Sequence, residues 1–250
     1  MCGLFGSFGN FKGRSVAMTI LCMNNAERGT DSTGIAVDGD IYKDTVTPYT
    51  FAKEKRFKEM TRQGKIVIGH TRWATHGGVT HQNAHPFNIY GNMVGAHNGV
   101  VSNLEELKTI IADDYEVDSQ YLLALQYILG ETTMARGTLN LTYHYLDGEN
   151  QGKLFIQKHN NPMFLAEFKT PNGPAYMYSS LESGLKMAMT LLNLEGEVYD
   201  LKNYTETVIS DEGVTSTPYE VAYESRNANR HYNGDYGNDS YCKNNIKRKK

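Results

Sequence analysis

The sequence predicts a layered domain of the α+β or α/β class with largely antiparallel sheets. Apolar residues between positions 16 and 23 recur at helical spacing, and Gly29 follows where a helix can end. From Thr138 onward, short strand candidates follow one another and are separated by turn residues such as Asp147 and Gly148. This mixture of helices and turn-linked strands is typical of sheets covered by helices.

The individual elements follow from the same patterns. The early helix lies behind a terminal strand, and two β-branched segments bounded by glycine, 65–69 and 92–96, are typical of buried strands. A helix is expected to begin near Ser102 or Asn103, either of which can cap it, and a second helix covers 119–129. Further strands are expected over 139–146, 153–158, 163–168, 175–178, 196–201 and 203–210, with a helix over 181–192.

The composition excludes several classes of protein. The chain has 250 residues, 40% of them hydrophobic, and a formal net charge of −3, which supports a buried core without a basic field for nucleic acid. No apolar run approaches the roughly 18 residues that span a bilayer, and no signal peptide opens the chain, so no membrane association is expected. Cys2, Cys22 and Cys242 are far apart, which argues against a disulfide framework and a cysteine-ligated zinc site and favours the cytoplasm.

Composition also divides the chain into a folded part and a tail. We place the folded domain at residues 2–222 and expect a polar, disordered tail at residues 223–250, where aliphatic side chains are scarce. The last four residues are all basic, so a weak contact of the tail with nucleic acid or an acidic partner is one alternative. Charge patterning favours a solvated chain end over such a contact.

The amino terminus carries a candidate nucleophile. If Met1 is removed, Cys2 joins a thiol to a free α-amine, whose ordinary pKa near ~8 lets it accept the thiol proton close to neutral pH. If Met1 stays, that amine is masked in a peptide bond. The alternative is that position 2 only tolerates a small residue, and the first residues alone do not decide between the two.

Two polar clusters rich in glycine follow. Residues 28–34 suit a tight turn that holds Arg28 and an aspartate near backbone groups, with an ordinary helix-to-strand turn as the alternative. Residues 69–78 leave a predicted strand and enter a glycine-hinged loop. There the paired donors of Arg72 suit a carboxylate, and Trp73 can close over a ligand. The alternative is an internally satisfied loop in which Trp73 belongs to the core.

Two further positions carry candidate binding groups. Asn98 and Gly99 follow a predicted strand, where an Asn amide and a glycine N–H provide two donors for an oxyanion; a hairpin turn is the alternative. Asp118 opens a predicted helix, where it can bind a substrate ammonium or simply cap the helix. Five histidines lie between 70 and 97, but glycine, Asn83 and Pro86 interrupt the segment, so no metal site is expected.

Taken together, five ordered motifs resemble those of the class II glutamine amidotransferase domain of the N-terminal-nucleophile hydrolases, most closely the glutaminase domain of the glucosamine-6-phosphate synthases. The matching stretches are Met-Cys-Gly at 1–3, Arg-Gly-Thr-Asp-Ser-Thr-Gly at 28–34, residues 69–77, Asn-Ala-His-Pro at 83–86 and His-Asn-Gly at 97–99. Weaker similarity continues to about residue 210, so the resemblance covers nearly all of the predicted core.

The resemblance implies an α+β fold, a four-layer αββα sandwich of two antiparallel sheets between helical layers (the Ntn-hydrolase fold). It also implies a role for each matching position. Cys2 becomes the nucleophile after Met1 is removed, its own α-amine is the base, and Arg28 helps to position the terminus. The side-chain amide of Asn98 and the N–H of Gly99 form the oxyanion hole.

The bound substrate is implied in the same way. Arg72, with Thr75 and His76, holds the α-carboxylate end of L-glutamine, Trp73 belongs to the same binding set, and Asp118 pairs with the α-ammonium. The thiolate attacks the side-chain amide, ammonia leaves, and water hydrolyses a γ-glutamyl thioester to glutamate. No metal and no organic cofactor is required.

The ammonia acceptor is expected to be a separate protein. The synthase family continues into a sugar-phosphate isomerase domain, which has no counterpart in this sequence, so we expect a stand-alone glutaminase that serves a separate synthase or nucleotide-modifying enzyme. The alternatives are a γ-glutamyl amidohydrolase without ammonia transfer and a non-catalytic regulatory subunit. One departure concerns substrate binding, since Gln120 stands where relatives carry an acid.

Overall fold

The computed structural model describes residues 1–75 and 77–219. The α-helices within these residues are α1 (Arg14–Asn24), α2 (Pro48–Phe51), α3 (Lys55–Met60), α4 (Leu104–Ile110), α5 (Asp118–Leu129) and α6 (Glu182–Leu192). The strands are β1 (Gly3–Phe8), β2 (Ser32–Val37), β3 (Asp40–Asp44), β4 (Ile66–Arg72), β5 (Phe87–Ile89), β6 (Met93–Val101), β7 (Gly137–Tyr145), β8 (Leu154–Lys158), β9 (Phe164–Thr170), β10 (Gly173–Ser179), β11 (Gly196–Asp200), β12 (Thr205–Ser210) and β13 (Gly213–Pro218). None of the described helices is both long enough and apolar enough to cross a lipid bilayer.

The strands form two antiparallel sheets. The first has seven strands in the order β11-β9-β10-β1-β4-β2-β3, and the second has six in the order β13-β12-β8-β7-β6-β5. Each pair of neighbouring strands in both sheets is antiparallel. The prediction of two largely antiparallel sheets is therefore confirmed.

Three apolar clusters separate four layers. The cluster between the sheets includes Leu4 and Ile68 of the first sheet and Ala96 and Ile156 of the second. On the outer face of the first sheet, residues such as Leu21 pack α1 and α6 against it, and a third cluster packs α4 and α5 on the outer face of the second sheet. Fully burying each large aliphatic or aromatic side chain stabilises the fold by roughly 1.5–3 kcal/mol. The predicted αββα sandwich is confirmed.

Two predicted strands continue further than the sequence pattern indicates. β4 extends beyond Gly69 to Arg72, and β6 extends beyond Ala96 to Val101. The alternative that Asn98 and Gly99 form a hairpin turn is therefore wrong, since both lie inside a paired strand. Polar residues and glycine conceal the strand in the sequence, because these residue types are more typical of turns.

Several short elements have no counterpart in the predicted pattern. They are β2, β3, α2, α3, β5 and β13. α2 and β5 have four and three residues, too few to show a periodicity, and β13 is rich in threonine and serine. β2 begins at Ser32, inside the cluster 28–34. The predicted tight turn therefore covers only the first residues of that cluster. The boundary at residue 222 and the tail at 223–250 lie outside the described residues.

The strand register brings the chain's amino terminus to one end of the sandwich. In the first sheet Gly3 is paired with Thr71, and Ser32 is paired with Arg72. Cys2 therefore lies beside the end of β4. Across the gap between the sheets, a ring nitrogen of His70 lies 3.0 Å from the carbonyl oxygen of His97 in β6. Residues from both sheets thus meet at this end.

Candidate active site

The side chain and the carbonyl of Cys2 are both held by hydrogen bonds. The N–H of Trp73 lies 3.3 Å from the Cys2 Sγ, and the Arg28 Nε donates to the carbonyl oxygen of Cys2 at 2.8 Å. Met1 is 69% exposed, in contrast to Gly3, which is buried in β1. The carbonyl of Cys2 is therefore anchored while the residue before it projects into solvent.

The environment of the Cys2 thiol favours its protonated form. Burial raises the pKa of the thiol above its ordinary value, and the negative charge of Asp118 raises it further. The N–H of Trp73, the positive amino terminus and Arg72 oppose this effect without reversing it. Because the thiolate is the reactive form, a nucleophile in this position needs a nearby base to take its proton.

The segment 28–31 fastens the end of β4. The N–H of Asp31 donates to the carbonyl of Arg72 at 2.9 Å, and the Asp31 carboxylate accepts from the N–H of Ala74 at 2.8 Å. Gly29 makes this approach possible, since a Cβ there would lie 2.4 Å from the carbonyl carbon of Arg72. The prediction that the cluster holds Arg28 and an aspartate near backbone groups is confirmed.

The loop after β4 is organised around Arg72. Its guanidinium is buried and donates to the carbonyl of Gly78 at 2.8 Å. The N–H of Gly78 donates in turn to Glu116 at 3.0 Å, which lowers the pKa of that carboxylate. Nothing in the sequence pattern marks Glu116. Trp73 is 54% exposed, so the alternative that it belongs to the core is wrong. His76 lies outside the described residues.

Asn98 and Gly99 lie on β6 beside this loop. Asn98 is only 1% exposed, and neither the nitrogen nor the oxygen of its side-chain amide has a hydrogen-bond partner among the described residues. Leaving such a buried group unpaired costs about 1–3 kcal/mol. Gly99 has no room for a side chain, because a Cβ would lie 1.7 Å from the carbonyl oxygen of Thr138.

Asp118 is the first residue of α5, but its side chain does not cap the helix. The N-cap residue is Val117, and it makes no side-chain cap hydrogen bond. The Asp118 carboxylate instead accepts from the N–H of Val101 on β6 at 2.9 Å. It is buried, and a buried carboxylate carries its charge at a substantial desolvation cost unless a cation joins it. The helix-cap alternative is therefore wrong.

One pocket brings most of these residues together. It is lined by Cys2, Arg72, Trp73, Thr75, His85, His97, Gly99, Val117, Asp118 and Ser119. Six of these are positions to which the resemblance assigns a role: Cys2, Arg72, Trp73, Thr75, Gly99 and Asp118. Arg28 and Asn98 are not lining residues; the first lies behind the Cys2 carbonyl, and the second is buried in the strand that carries Gly99.

Sequence reasoning assigns no role to four lining residues: His85, His97, Val117 and Ser119. His97 lies 2.9 Å from the Ser119 hydroxyl through one ring nitrogen and 2.9 Å from the carbonyl of Thr138 through the other. It thereby joins β6, β7 and α5. In the sequence, His85 and His97 could have been identified because they belong to the matching motifs. Val117 and Ser119 are indicated only by their position beside Asp118.

Two stacked, buried imidazoles lie at the wall of the pocket, which His85 lines. The rings of His70 and His85 are 4.0 Å apart. Burial lowers the pKa of His70 to about 3 and that of His85 well below its ordinary value. Lys43 holds the segment that carries His85 by donating to the carbonyl of Ala84 at 2.6 Å. Within residues 1–75 and 77–219, no group of three or more metal-ligating side chains is arranged to hold a metal ion.

The buried imidazoles predict acid sensitivity. The folded state holds His70 neutral with a pKa of about 3, while in the unfolded chain the pKa keeps its ordinary value of 6.5. Below pH 6.5 the unfolded state therefore binds more protons, and the free energy of unfolding is expected to fall toward pH 3 by about 1.4 kcal/mol per pH unit for each such histidine. Urea unfolding at pH 7, 6 and 5 measures this slope.

The variant His70→Gln provides the comparison, because glutamine does not titrate. Between pH 6 and 5, the free energy of unfolding of this variant should fall less steeply than that of the unchanged protein. The difference in slope should be about 1.4 kcal/mol per pH unit, which corresponds to one proton. Equal slopes would mean that His70 does not contribute to the acid sensitivity.

Known proteins resemble the chain in sequence. A glutamine–fructose-6-phosphate aminotransferase (isomerizing) from Methanococcus maripaludis is 42% identical over 115 residues, covering 44% of this chain and 19% of the relative. The enzyme of the same name from Bacillus subtilis is 28% identical over 233 residues, covering 86% of this chain and 36% of the relative. The chain thus spans about a fifth to a third of these relatives. No model of a known protein family matches it.

The fold is shared with a solved structure. The glutamine phosphoribosylpyrophosphate amidotransferase of Bacillus subtilis, solved with ADP and GMP, superimposes with a TM-score of 0.66 at 20% identity. The match covers 87% of this chain and 49% of the solved one. Sequence relatives and fold agree with the resemblance found in the five motifs. The chain is therefore similar in sequence to the glutaminase part of these aminotransferases, and it shares the fold of the amidotransferase of the N-terminal-nucleophile type.

Proposed function

We propose that this domain hydrolyses the side-chain amide of L-glutamine to glutamate and ammonia, with Cys2 as the nucleophile. One observation carries the proposal: Cys2 shares a pocket with a buried cation, Arg72, and a buried anion, Asp118. A free amino acid bears a carboxylate and an ammonium on one carbon, so this pair of charges matches its α-carbon groups. Recognition at that end leaves the side-chain amide to reach the thiol.

The contacts of the pocket support a position for each end of the substrate. The guanidinium of Arg72 binds the α-carboxylate, and Thr75 and His76 complete that end. Asp118 binds the α-ammonium, and Trp73, which is largely exposed, covers the bound molecule. Leaving the buried Asp118 carboxylate without a cation is costly, so a ligand that lacks the α-ammonium is rejected.

The reaction proceeds in two steps. In the first, the α-amine of Cys2 takes the thiol proton, and Sγ bonds to the amide carbon while the C=O becomes an oxyanion. The Asn98 amide and the Gly99 N–H donate to that oxyanion. The proton passes to the leaving nitrogen, the C–N bond breaks and ammonia departs, leaving a γ-glutamyl thioester. In the second step the amine deprotonates a water, which attacks the thioester and releases glutamate and the thiol.

The proposal requires that Met1 be removed, because only then does Cys2 carry the free amine. The exposure of Met1 favours its removal, and the hydrogen bond from Arg28 to the Cys2 carbonyl keeps the new terminus in place. We further propose that the ammonia passes to an acceptor site of a separate synthase or nucleotide-modifying enzyme. The names of the sequence relatives, which describe amino transfer to fructose-6-phosphate, support ammonia transfer in this family. A free reactive thiol also suits the reducing cytoplasm.

A substrate panel tests the proposed function. The protein is first checked by intact mass for the loss of Met1, and glutamate release is then measured from L-glutamine and from γ-glutamyl dipeptides. We expect glutamine to be the preferred substrate and ammonia to appear in equal amount. A preference for the dipeptides would indicate an amidohydrolase without ammonia transfer. If the protein that has lost Met1 hydrolysed neither glutamine nor the dipeptides, the proposed enzymatic function would be refuted.

A further inference from the structure

We propose that Asn161, itself held by Asn140, is a positioning residue that aims the N–H of Gly99 into the pocket. The proposal rests on the proposed function, because it concerns the oxyanion hole. Its basis is a hydrogen bond of 3.0 Å from the Asn161 side-chain amide to the carbonyl oxygen of Asn98. That carbonyl and the Gly99 N–H belong to the same peptide unit.

A planar trans peptide couples the two groups. Its C=O and N–H point in opposite directions, so fixing the Asn98 carbonyl also fixes the direction of the Gly99 N–H. In a strand, N–H groups two residues apart point to the same side. The N–H of Val101 donates to Asp118, a pocket residue, so the N–H of Gly99 points toward the pocket as well. Asn161 holds the same peptide from the opposite side.

Side-chain hydrogen bonds accompany the paired ladder of β6 and β7 around Gly99. The N–H of Val100 donates to the hydroxyl of Thr138 at 3.0 Å, and the Thr138 carbonyl lies 2.9 Å from the ring of His97. These side-chain contacts add to the continuous pairing of β6 with β7 beside Gly99. The hydrogen bond from Asn161 acts directly on the peptide between Asn98 and Gly99.

Asn140 holds Asn161 in turn. It is the residue paired with Asn98 across β6 and β7. Its side-chain nitrogen donates to the Asn161 carbonyl at 2.9 Å, and its oxygen accepts from the N–H of His159 at 2.8 Å. Asn98, Asn140 and Asn161 are all buried. Because both the nitrogen and the oxygen of the Asn140 amide are hydrogen-bonded, this buried side chain is held rigidly. It therefore fixes Asn161, which donates to the Asn98 carbonyl.

The variant Asn161→Leu tests the proposal, because it keeps the branched arrangement of the side-chain heavy atoms and removes the donor. We expect kcat for glutamine to fall about 10-fold, less than the 10²–10³-fold typical of losing an oxyanion donor outright, since the N–H is misaimed and not removed. KM should change by less than about two-fold, because glutamine binding uses other groups. The matched control is Asn92→Leu. The Asn92 side chain donates to the Tyr127 hydroxyl near the opposite end of β6, so this variant also removes a side-chain amide donor.

A second readout separates aiming from general loosening of the fold. In the aldehyde analogue of glutamine, Cys2 Sγ bonds to the aldehyde carbon, the C=O opens, and the thiol proton ends on the oxygen, which occupies the oxyanion position. The Ki of this analogue should rise about 10-fold in Asn161→Leu, while the Ki of the product L-glutamate stays within about two-fold. Equal weakening of both ligands would overturn the proposal.

The isosteric variant Asn161→Asp covers the case in which leucine prevents folding. It keeps the shape and replaces the donor by an oxygen, so the same loss of kcat and of aldehyde affinity is expected. A folded Asn161 variant with unchanged kcat would overturn the positioning role while glutamine hydrolysis by the unchanged protein still stood. If the unchanged protein did not hydrolyse glutamine, the proposed function itself would fail.

Discussion

Replacing Cys2 by alanine is expected to lower the rate of glutamate release from glutamine by at least about 10³-fold. Alanine removes the only group in the pocket that can form the thioester, since among its lining residues no other thiol is present. The amine, the oxyanion donors and the charges of the pocket remain, so glutamine should still bind. Binding can be followed by calorimetry, and the rate by glutamate release under saturating glutamine.

Cys22→Ala is the matched control. Cys22 is a fully buried residue of α1, its Sγ donates to the carbonyl of Pro48 at 3.7 Å, and burial raises the pKa of its thiol far above the ordinary value. A thiol kept protonated in an apolar core is inert. This variant should therefore retain the rate of the unchanged protein. If both variants hydrolyse glutamine equally, the nucleophile is not Cys2.

The same experiment reports on the amino terminus. A preparation in which Met1 is blocked and retained should be as inactive as Cys2→Ala, and its thiol should react only slowly with a small alkylating reagent at neutral pH. The reason is that the thiol pKa is raised by burial, so without the adjacent amine little thiolate forms at neutral pH. Full activity with Met1 retained would mean that another group acts as the base.

The fold could be predicted where a segment is long and its pattern is regular. α1, α5 and α6 show helical spacing, and the strands after residue 137 are bounded by turn residues. β3 and β13 escape prediction because they are polar strands at sheet edges, where no buried face imposes an alternating pattern. The extension of β6 through Asn98 and Gly99 is set by pairing with β7, which a local pattern cannot express.

The candidate site divides in a similar way. The motifs mark Cys2 and Arg72, and the start of a predicted helix marks Asp118; chemistry restricts the residue type at all three positions. The residues that hold them are not marked. Glu116 supports the loop from 38 residues away, and Asn161 supports Asn98 from 63 residues away. Glutamate and asparagine are common surface residues, so only the tertiary structure distinguishes these two from the others.

The variant Asp118→Asn is expected to raise KM for glutamine by about 10²-fold with a much smaller effect on kcat. Removing one partner of a buried charge pair costs about 2–5 kcal/mol, and 2.7 kcal/mol corresponds to a factor of 100. The asparagine oxygen can still accept from the N–H of Val101, so the contact between α5 and β6 is kept. What is lost is the negative charge that the α-ammonium needs.

A substrate analogue isolates that charge. In 4-carbamoylbutanoate the α-ammonium of glutamine is replaced by hydrogen, so the unchanged protein should use it about 10²-fold less efficiently, as judged by kcat/KM, while Asp118→Asn should discriminate far less between the two. Asp147→Asn, in an exposed turn, should preserve the full preference for glutamine. Asp118→Asn also removes a negative charge that raises the pKa of the Cys2 thiol. The pH at which the thiol becomes reactive should therefore be lower in this variant. Equal losses for glutamine and the analogue would instead assign Asp118 a purely structural role through Val101, because only an ammonium contact can make the effect depend on the presence of that group.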